Sequence, residues 1–140
     1  MKRLCDVLEK PVQKYQHKAA LITDEGCFTY SQLTQERNSI STYMQSCGVR
    51  VGDRIIMLLP HCRFLVSSNF AASKLGATYT LLHESTTRYQ LDYIIKDSQA
   101  SYLLTTDTFN VKLELASNIG TKVILDQAVT TDEMEQRILY

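Results

Sequence analysis

From Arg54 onward, short apolar runs alternate with stretches in which apolar residues recur every three or four positions. Residues 55–59 are continuously apolar, as in a strand buried on both faces. Residues 61–75 place Phe64, Leu65, Ser68, Ala71, Ala72 and Leu75 at helical spacing, and Gly76 closes the segment. A strand over 77–82, a helix over 87–97, a strand over 101–105, a helix capped by Asp107 and running to Asn118, and a strand over 122–125 continue the alternation. Four strands separated by helices predict an α/β fold: a parallel βαβαβαβ sheet with right-handed crossovers.

The amino-terminal part reads differently. Leu4, Val7, Leu8, Val12 and Tyr15 have helical spacing, and Pro11 among them predicts a kink or two short helical pieces. Residues 19–23 and 27–29 read as two strands joined by the turn residues Asp24, Glu25 and Gly26, a hairpin. Thr29-Tyr30-Ser31-Gln32 then fits a capping box, in which Thr29 accepts from the backbone of Gln32 and Gln32 reaches back. Phe28 and Leu33 flank it as a hydrophobic staple. The helix continues with Leu33, Ile40, Tyr43, Met44 and Cys47 on one face, and Gly48 supplies the left-handed stop.

Composition narrows the functional classes. The 140 residues fit one domain and are 44% hydrophobic, and 15 basic against 15 acidic side chains give no net charge. A nucleic-acid partner would call for a basic face, so none is expected. The longest apolar run, 55–60, is far short of the ~18 residues of a membrane span. The charged start has no apolar segment behind it, so no secretory leader is expected either. The expectation is a soluble, cytoplasmic protein. Cysteines 5, 27, 47 and 62 include no Cys-x-x-Cys pair, which argues against a zinc site or disulfide framework and for packed thiols. Cys62, at a helix start, is the one thiol placed for a lowered pKa, with packing on the first turn as its default role.

Ligands of such sheets collect at the carboxyl ends of the strands. Those ends carry Pro60-His61, His83-Glu84, Thr106-Asp107 and Asp126. His61 and His83 are candidate ligand contacts facing a common crevice, weighed against ordinary loop histidines. His17 reads as exposed. The glycines, at 26, 48, 52, 76 and 120, form neither Gly-x-Gly-x-x-Gly nor Gly-x-x-x-x-Gly-Lys, so a dinucleotide or P-loop site is not expected. A phospho-receiver would need acids where Pro60-His61 stands. Asp132, Glu133 and Glu135 belong to a polar stretch, 127–140, and read as a solvated face. No catalytic, cofactor-binding or metal residue emerges from the pattern.

Three stretches resemble the amino-terminal part of adenylate-forming ligases, the superfamily of acyl-CoA synthetases, luciferases and the adenylation domains of non-ribosomal peptide synthetases. Phe28-Thr29-Tyr30-Ser31-Gln32-Leu33 is similar to the family's Leu-Thr-Tyr-x-Glu-Leu. The stretch from Gly48 through Gly52-Asp53 to Leu59-Pro60 is similar to Gly-Val-x-Pro-Gly-Asp-x-Val and the strand that follows. Val51 replaces a proline there, and His61 stands where an asparagine is common. Ser73-Lys74-Leu75-Gly76-Ala77-Thr78-Tyr79 resembles Leu-Lys-Ala-Gly-Ala-x-Tyr, although Leu81-Leu82-His83 replaces the Pro-Leu-Asp that often follows. Residues 88–98 resemble the next helix. Each motif is weak alone, but their order and spacing over residues 4–126 make the resemblance specific.

The resemblance implies that Phe28, Thr29, Tyr30, Gln32, Leu33, Gly52, Asp53, Lys74, Gly76 and Tyr79 are structural motif positions. It implies that residues 1–140 form a single amino-terminal subdomain, with 127–140 leading toward a Ser/Thr/Gly-rich phosphate loop beyond residue 140. The full-length parent would use ATP and Mg²⁺ to turn a carboxylic acid into an acyl-adenylate, then pass it to CoA or a carrier-protein thiol. The 140-residue chain, lacking that loop and the later catalytic lysine, would bind no cofactor alone and be inactive. Its first partner would be the rest of the adenylation domain, and uncovered sheet would favour self-association, with Ile138-Leu139-Tyr140 able to contribute. Two other readings stay open: a naturally short binding module or half of a split enzyme, and an unrelated α/β enzyme using His61 or Cys62.

Overall fold

The computed structural model describes residues 3–24, 26–59, 63–105 and 121–124. Helix α1 spans Asp6–Tyr15, strands β1 (Ala19–Thr23) and β2 (Gly26–Thr29) form an antiparallel hairpin, and α2 spans Tyr30–Ser46. There follow β3 (Arg54–Leu58), α3 (Arg63–Leu75), β4 (Thr78–Leu82), α4 (Arg88–Ser98), β5 (Tyr102–Thr105) and β6 (Thr121–Ile124). The last four strands make one parallel sheet in the order β4-β3-β5-β6. This is the anticipated α/β architecture. The helix expected over 107–118 and the polar stretch 127–140 lie outside the described residues.

Pro11 does not divide the first helix, which runs as one element through it. The bond it forfeits is to the carbonyl of Val7, a residue 62% exposed, so water can serve that carbonyl. Helix α1 seats Leu8 and Cys5 against its neighbours. Glu9 Oε1 accepts from Nη1 of the buried Arg37 on α2 at 3.0 Å. Arg37 also donates to Asn38 Oδ1 from Nε and Nη2.

Strand β3 is buried on both faces, as its unbroken apolar run predicts. Ile55, Met57 and Leu59 pack with Ile40, Met44, Phe64, Ala71, Ala72 and Leu104 under α2 and α3. Ile56 and Leu58 turn the other way and pack with Leu91, Ile95 and Leu103 beneath α4. Two apolar layers therefore enclose one sheet, which is why the central strand shows no polar alternation.

The anticipated capping box at α2 is formed. Thr29 Oγ1 accepts from Gln32 N at 3.2 Å, and Gln32 Oε1 accepts from Thr29 N at 2.8 Å. Helix α4 repeats it with Thr87 and Gln90, a Thr-x-x-Gln signature not singled out in the sequence. Thr29→Ala is expected to cost about 0.5–2 kcal/mol through the lost cap. An unchanged urea midpoint for that variant would mean the box contributes nothing to stability.

Candidate functional site

The two connections leaving the middle of the sheet run in opposite directions. Strand β3 leads through α3 to β4 on one side, whereas β5 lies on its other side and is followed outward by β6. A crevice outside the carboxyl ends of β3 and β5 is where such sheets hold ligands. The two strand ends are tied together there, because Thr105 Oγ1 donates to the Leu58 carbonyl at 2.8 Å. Helix α3 begins at this same edge, directly after β3.

A polar cluster forms where α2 and α3 begin. Glu36 is the hub: Oε2 accepts from Arg63 Nε at 2.8 Å and Oε1 accepts from Ser67 Oγ at 2.7 Å. The Arg63 guanidinium lies 4.9 Å from the ring centroids of both Phe28 and Phe64. Its charge is thus held by a carboxylate and two aromatic faces, an arrangement suited to the planar, weakly hydrated guanidinium. Phe28, Gln32, Leu33, Gln35, Glu36 and Arg63 line a cleft of about 270 Å³. Chemically it offers amide and carboxylate groups beside an aromatic ring, and no nucleophile. Nothing in the sequence marks this cluster, since Glu36 and Arg63 are 27 residues apart and belong to different helices.

His83 sits just past β4, exposed. Its Nδ1 accepts the backbone N–H of Ser85 at 3.1 Å and lies 2.8 Å from that residue's hydroxyl. With Nδ1 engaged as an acceptor, these partners assign the proton of the neutral ring to Nε2. Thr86 Oγ1 donates to the His83 carbonyl at 2.6 Å, which ties the loop to the cap of α4. His83, Ser85, Thr86, Tyr89, Gln90, Tyr93 and Ile94 border a shallow cavity of about 400 Å³. His61 and Cys62 lie outside the described residues, so the expected meeting of His61 with His83 does too.

Of the motif positions, Phe28, Gln32 and Leu33 line the cleft beside Arg63, and the later ones fall elsewhere. Gly52 and Gly76 meet at the opposite, amino-terminal end of the sheet, where Gly52 N donates to the Gly76 carbonyl at 3.0 Å. Gly76 has φ +75, and a Cβ there would lie 3.2 Å from Val51 Cγ1, so both conformation and space favour glycine. Asp53 Oδ2 accepts from Arg50 N at 2.7 Å and closes the turn into β3. Lys74 Nζ donates to Asn38 Oδ1 at 2.8 Å, joining α3 to α2. Tyr79 is half-buried on β4, and burial pushes its phenol up.

Among the described residues no group of three His, Cys, Asp or Glu side chains could hold a metal ion. Cys5 is buried, Cys27 exposed and Cys47 intermediate, its thiol pushed up by burial. Among the described residues no helix is long and apolar enough to cross a membrane.

Comparison with known proteins gives one consistent answer. The sequence model of the AMP-binding enzymes matches residues 8–138. Nonribosomal peptide synthetase GRA1 of Gibberella zeae is 39% identical over 101 residues, covering 71% of this chain and 1% of that protein. Crotonobetaine/carnitine–CoA ligase of Escherichia coli is 27% identical over 129 residues, covering 85% of this chain and 25% of the ligase. The chain therefore spans a quarter or less of the length of these relatives. Among solved structures, the anthranilate CoA ligase AuaEII in complex with anthranoyl-AMP superposes with a TM-score of 0.84 at 22% identity, covering 97% of this chain and 27% of that one. The o-succinylbenzoate CoA synthetase of Bacillus subtilis, in complex with its acyl-adenylate intermediate, gives 0.77 at 21% identity, covering 96% and 33%. These two likenesses establish the fold.

Proposed function

Because the chain belongs to the AMP-binding enzyme family, we propose that it is the amino-terminal part of an ATP-dependent, carboxylate-activating ligase. The observation that carries this reading is the match over residues 8–138, joined to the parallel β4-β3-β5-β6 sheet that the ligases share. In the parent reaction a carboxylate oxygen attacks the α-phosphorus of ATP and pyrophosphate leaves. A thiol of CoA or of a carrier protein's phosphopantetheine then displaces AMP from the acyl-adenylate. Mg²⁺ would neutralise charge on the phosphates, and no step is assigned to residues of this chain.

The role of residues 1–140 in this proposal is architectural. The caps of α2 and α4, the turn at Gly52-Asp53 and the Glu36–Arg63 cluster hold the sheet and the amino ends of its helices in place. The rest of the adenylation domain is then the partner that supplies the nucleotide site, and the setting is cytoplasmic. The bonds that the motif residues make, the Thr29–Gln32 cap, the Gly52–Gly76 turn contact and the Lys74–Asn38 tie between helices, support a structural rather than catalytic role for them.

The 140-residue chain alone is expected to show no carboxylate-dependent exchange of labelled pyrophosphate into ATP. A panel of aliphatic, aromatic and amino acids, assayed with a preparation free of any longer ligase, checks this. Exchange above the protein-free background with any of them would overturn the non-catalytic reading. Sequencing of the reading frame past codon 140 is the companion test: an open frame leading into a Ser/Thr/Gly-rich loop with a lysine supports the parent ligase.

A further inference from the structure

Strand β4 has β3 on one side, and among the described residues no strand pairs with its other side. The direction of its backbone groups follows from one bond: Thr78 N donates to the Asp53 carbonyl at 2.8 Å, toward β3. Backbone groups alternate sides along a strand, so Thr78, Thr80 and Leu82 serve the ladder with β3. The N–H and C=O of Tyr79 and Leu81 therefore point outward. The register with β3 runs unbroken from Thr78 to Leu82, so no bulge twists this edge away. Thr-Tyr-Thr-Leu-Leu contains no charge and no proline. Of the devices that stop sheet edges from pairing, lysine, proline, a bulge and an inward charge are missing from it.

We propose that this edge pairs with β4 of a second copy of the chain, antiparallel, about a twofold axis passing through Thr80 perpendicular to the sheet. The pattern of the strand is self-complementary about that residue. Tyr79 of one copy falls opposite Leu81 of the other, and the reverse, and these are the positions whose backbone groups point outward. Each such pair exchanges two N–H···O=C bonds, so the junction closes four. Thr80 meets Thr80 between them as a non-hydrogen-bonded pair, where side chains come closest. Its side chain is exposed in the single chain. Leu81, 46% exposed, is covered by the opposing Tyr79 on the same face.

A second copy suits this edge because an uncharged strand meets itself without opposing like charges, and because both partners present the same outward pair. Five residues per partner make a small interface, so the association is a concentration-dependent equilibrium rather than an obligate dimer. The inference needs no enzymatic activity and stands or falls separately from the assignment as a ligase.

Sedimentation velocity over a wide concentration range, with three proteins, decides it. The native chain is expected to shift with concentration from 16.0 kDa toward twice that mass. Thr80→Lys and Thr80→Glu each place two like charges face to face across the twofold axis, at an exposed side chain that the single fold does not use. Each should lose the dimer while keeping the far-ultraviolet spectrum and urea midpoint of the native chain. Mixing the two variants should restore it as a one-to-one heterodimer. A native chain that stays monomeric throughout overturns the proposal and leaves the edge to a strand supplied from elsewhere. Dimers that persist in Thr80→Lys, or a lysine–glutamate mixture that stays monomeric, overturn the pairing through β4.

Discussion

Phe64→Ala is expected to destabilise the fold by about 3–5 kcal/mol, the cost of removing a fully packed aromatic ring and leaving a cavity. Phe64 is 2% exposed and lies at the first turn of α3, packed into the layer formed by Ile40, Met44, Ile55, Met57 and Leu104. Helix α3 contributes Ala71 and Ala72 to the same layer, so little neighbouring side-chain volume can move in to fill the space. The ring also carries one face of the Arg63 guanidinium. For a domain whose whole stability is of order 5–15 kcal/mol, such a loss brings the fold close to its threshold. Tyr93→Ala is the control: Tyr93 is 62% exposed, and its removal should stay within about 0.5 kcal/mol. Urea unfolding followed by circular dichroism measures both. A Phe64→Ala midpoint matching that of Tyr93→Ala would refute the packing around α3.

The second large effect belongs to Glu36. Glu36→Ala removes the acceptor of Arg63 Nε and of Ser67 Oγ at once. Ser67 is fully buried, and its hydroxyl cannot turn to water. The Arg63 side chain is 23% exposed, so the guanidinium can recover part of its hydration. The expected loss is therefore about 2–3 kcal/mol, below the 3–5 typical of a wholly buried broken pair. Ser67→Ala alone removes one neutral donor and leaves the ion pair intact, at a cost of about 1 kcal/mol. The double variant should then cost clearly less than the sum of the two single losses, because both delete the same bond. Strict additivity in urea midpoints would show that Glu36 and Ser67 act independently and that the cluster is not one unit.

Local signals along the chain were enough for the order and type of its described elements. Thr29 and Gln32 announce the start of α2 because a capping box is made by residues three apart, whose meeting needs no distant partner. The unbroken apolar run of β3 announces a strand covered on both faces, because burial of alternate side chains on opposite sides demands it. The helix-strand alternation then leaves a parallel sheet as the arrangement that buries those runs. Pro11 shows where local reasoning overreaches. Of the two outcomes it predicts, the division into two pieces does not occur, and α1 stays one element held by Cys5, Leu8 and Glu9 against its neighbours.

Tertiary structure alone decided which charges would be paired and which edge would stay open. Glu36, Arg63 and Ser67 meet only because α2 and α3 lie side by side with their amino ends at the same edge. Arg37 is buried at 4% exposure because Glu9 of α1 meets its guanidinium, a pairing across 28 residues of chain. The strand order β4-β3-β5-β6, which places β4 at an edge, depends on which side each crossover returns. No local pattern records that choice, because a strand carries the same alternation whether its neighbour lies to one side or the other. Sequence by itself therefore settled what each segment becomes, through contacts a few residues apart. Packing settled what each segment meets, since those contacts join residues whose separation along the chain has no fixed relation to their separation in space.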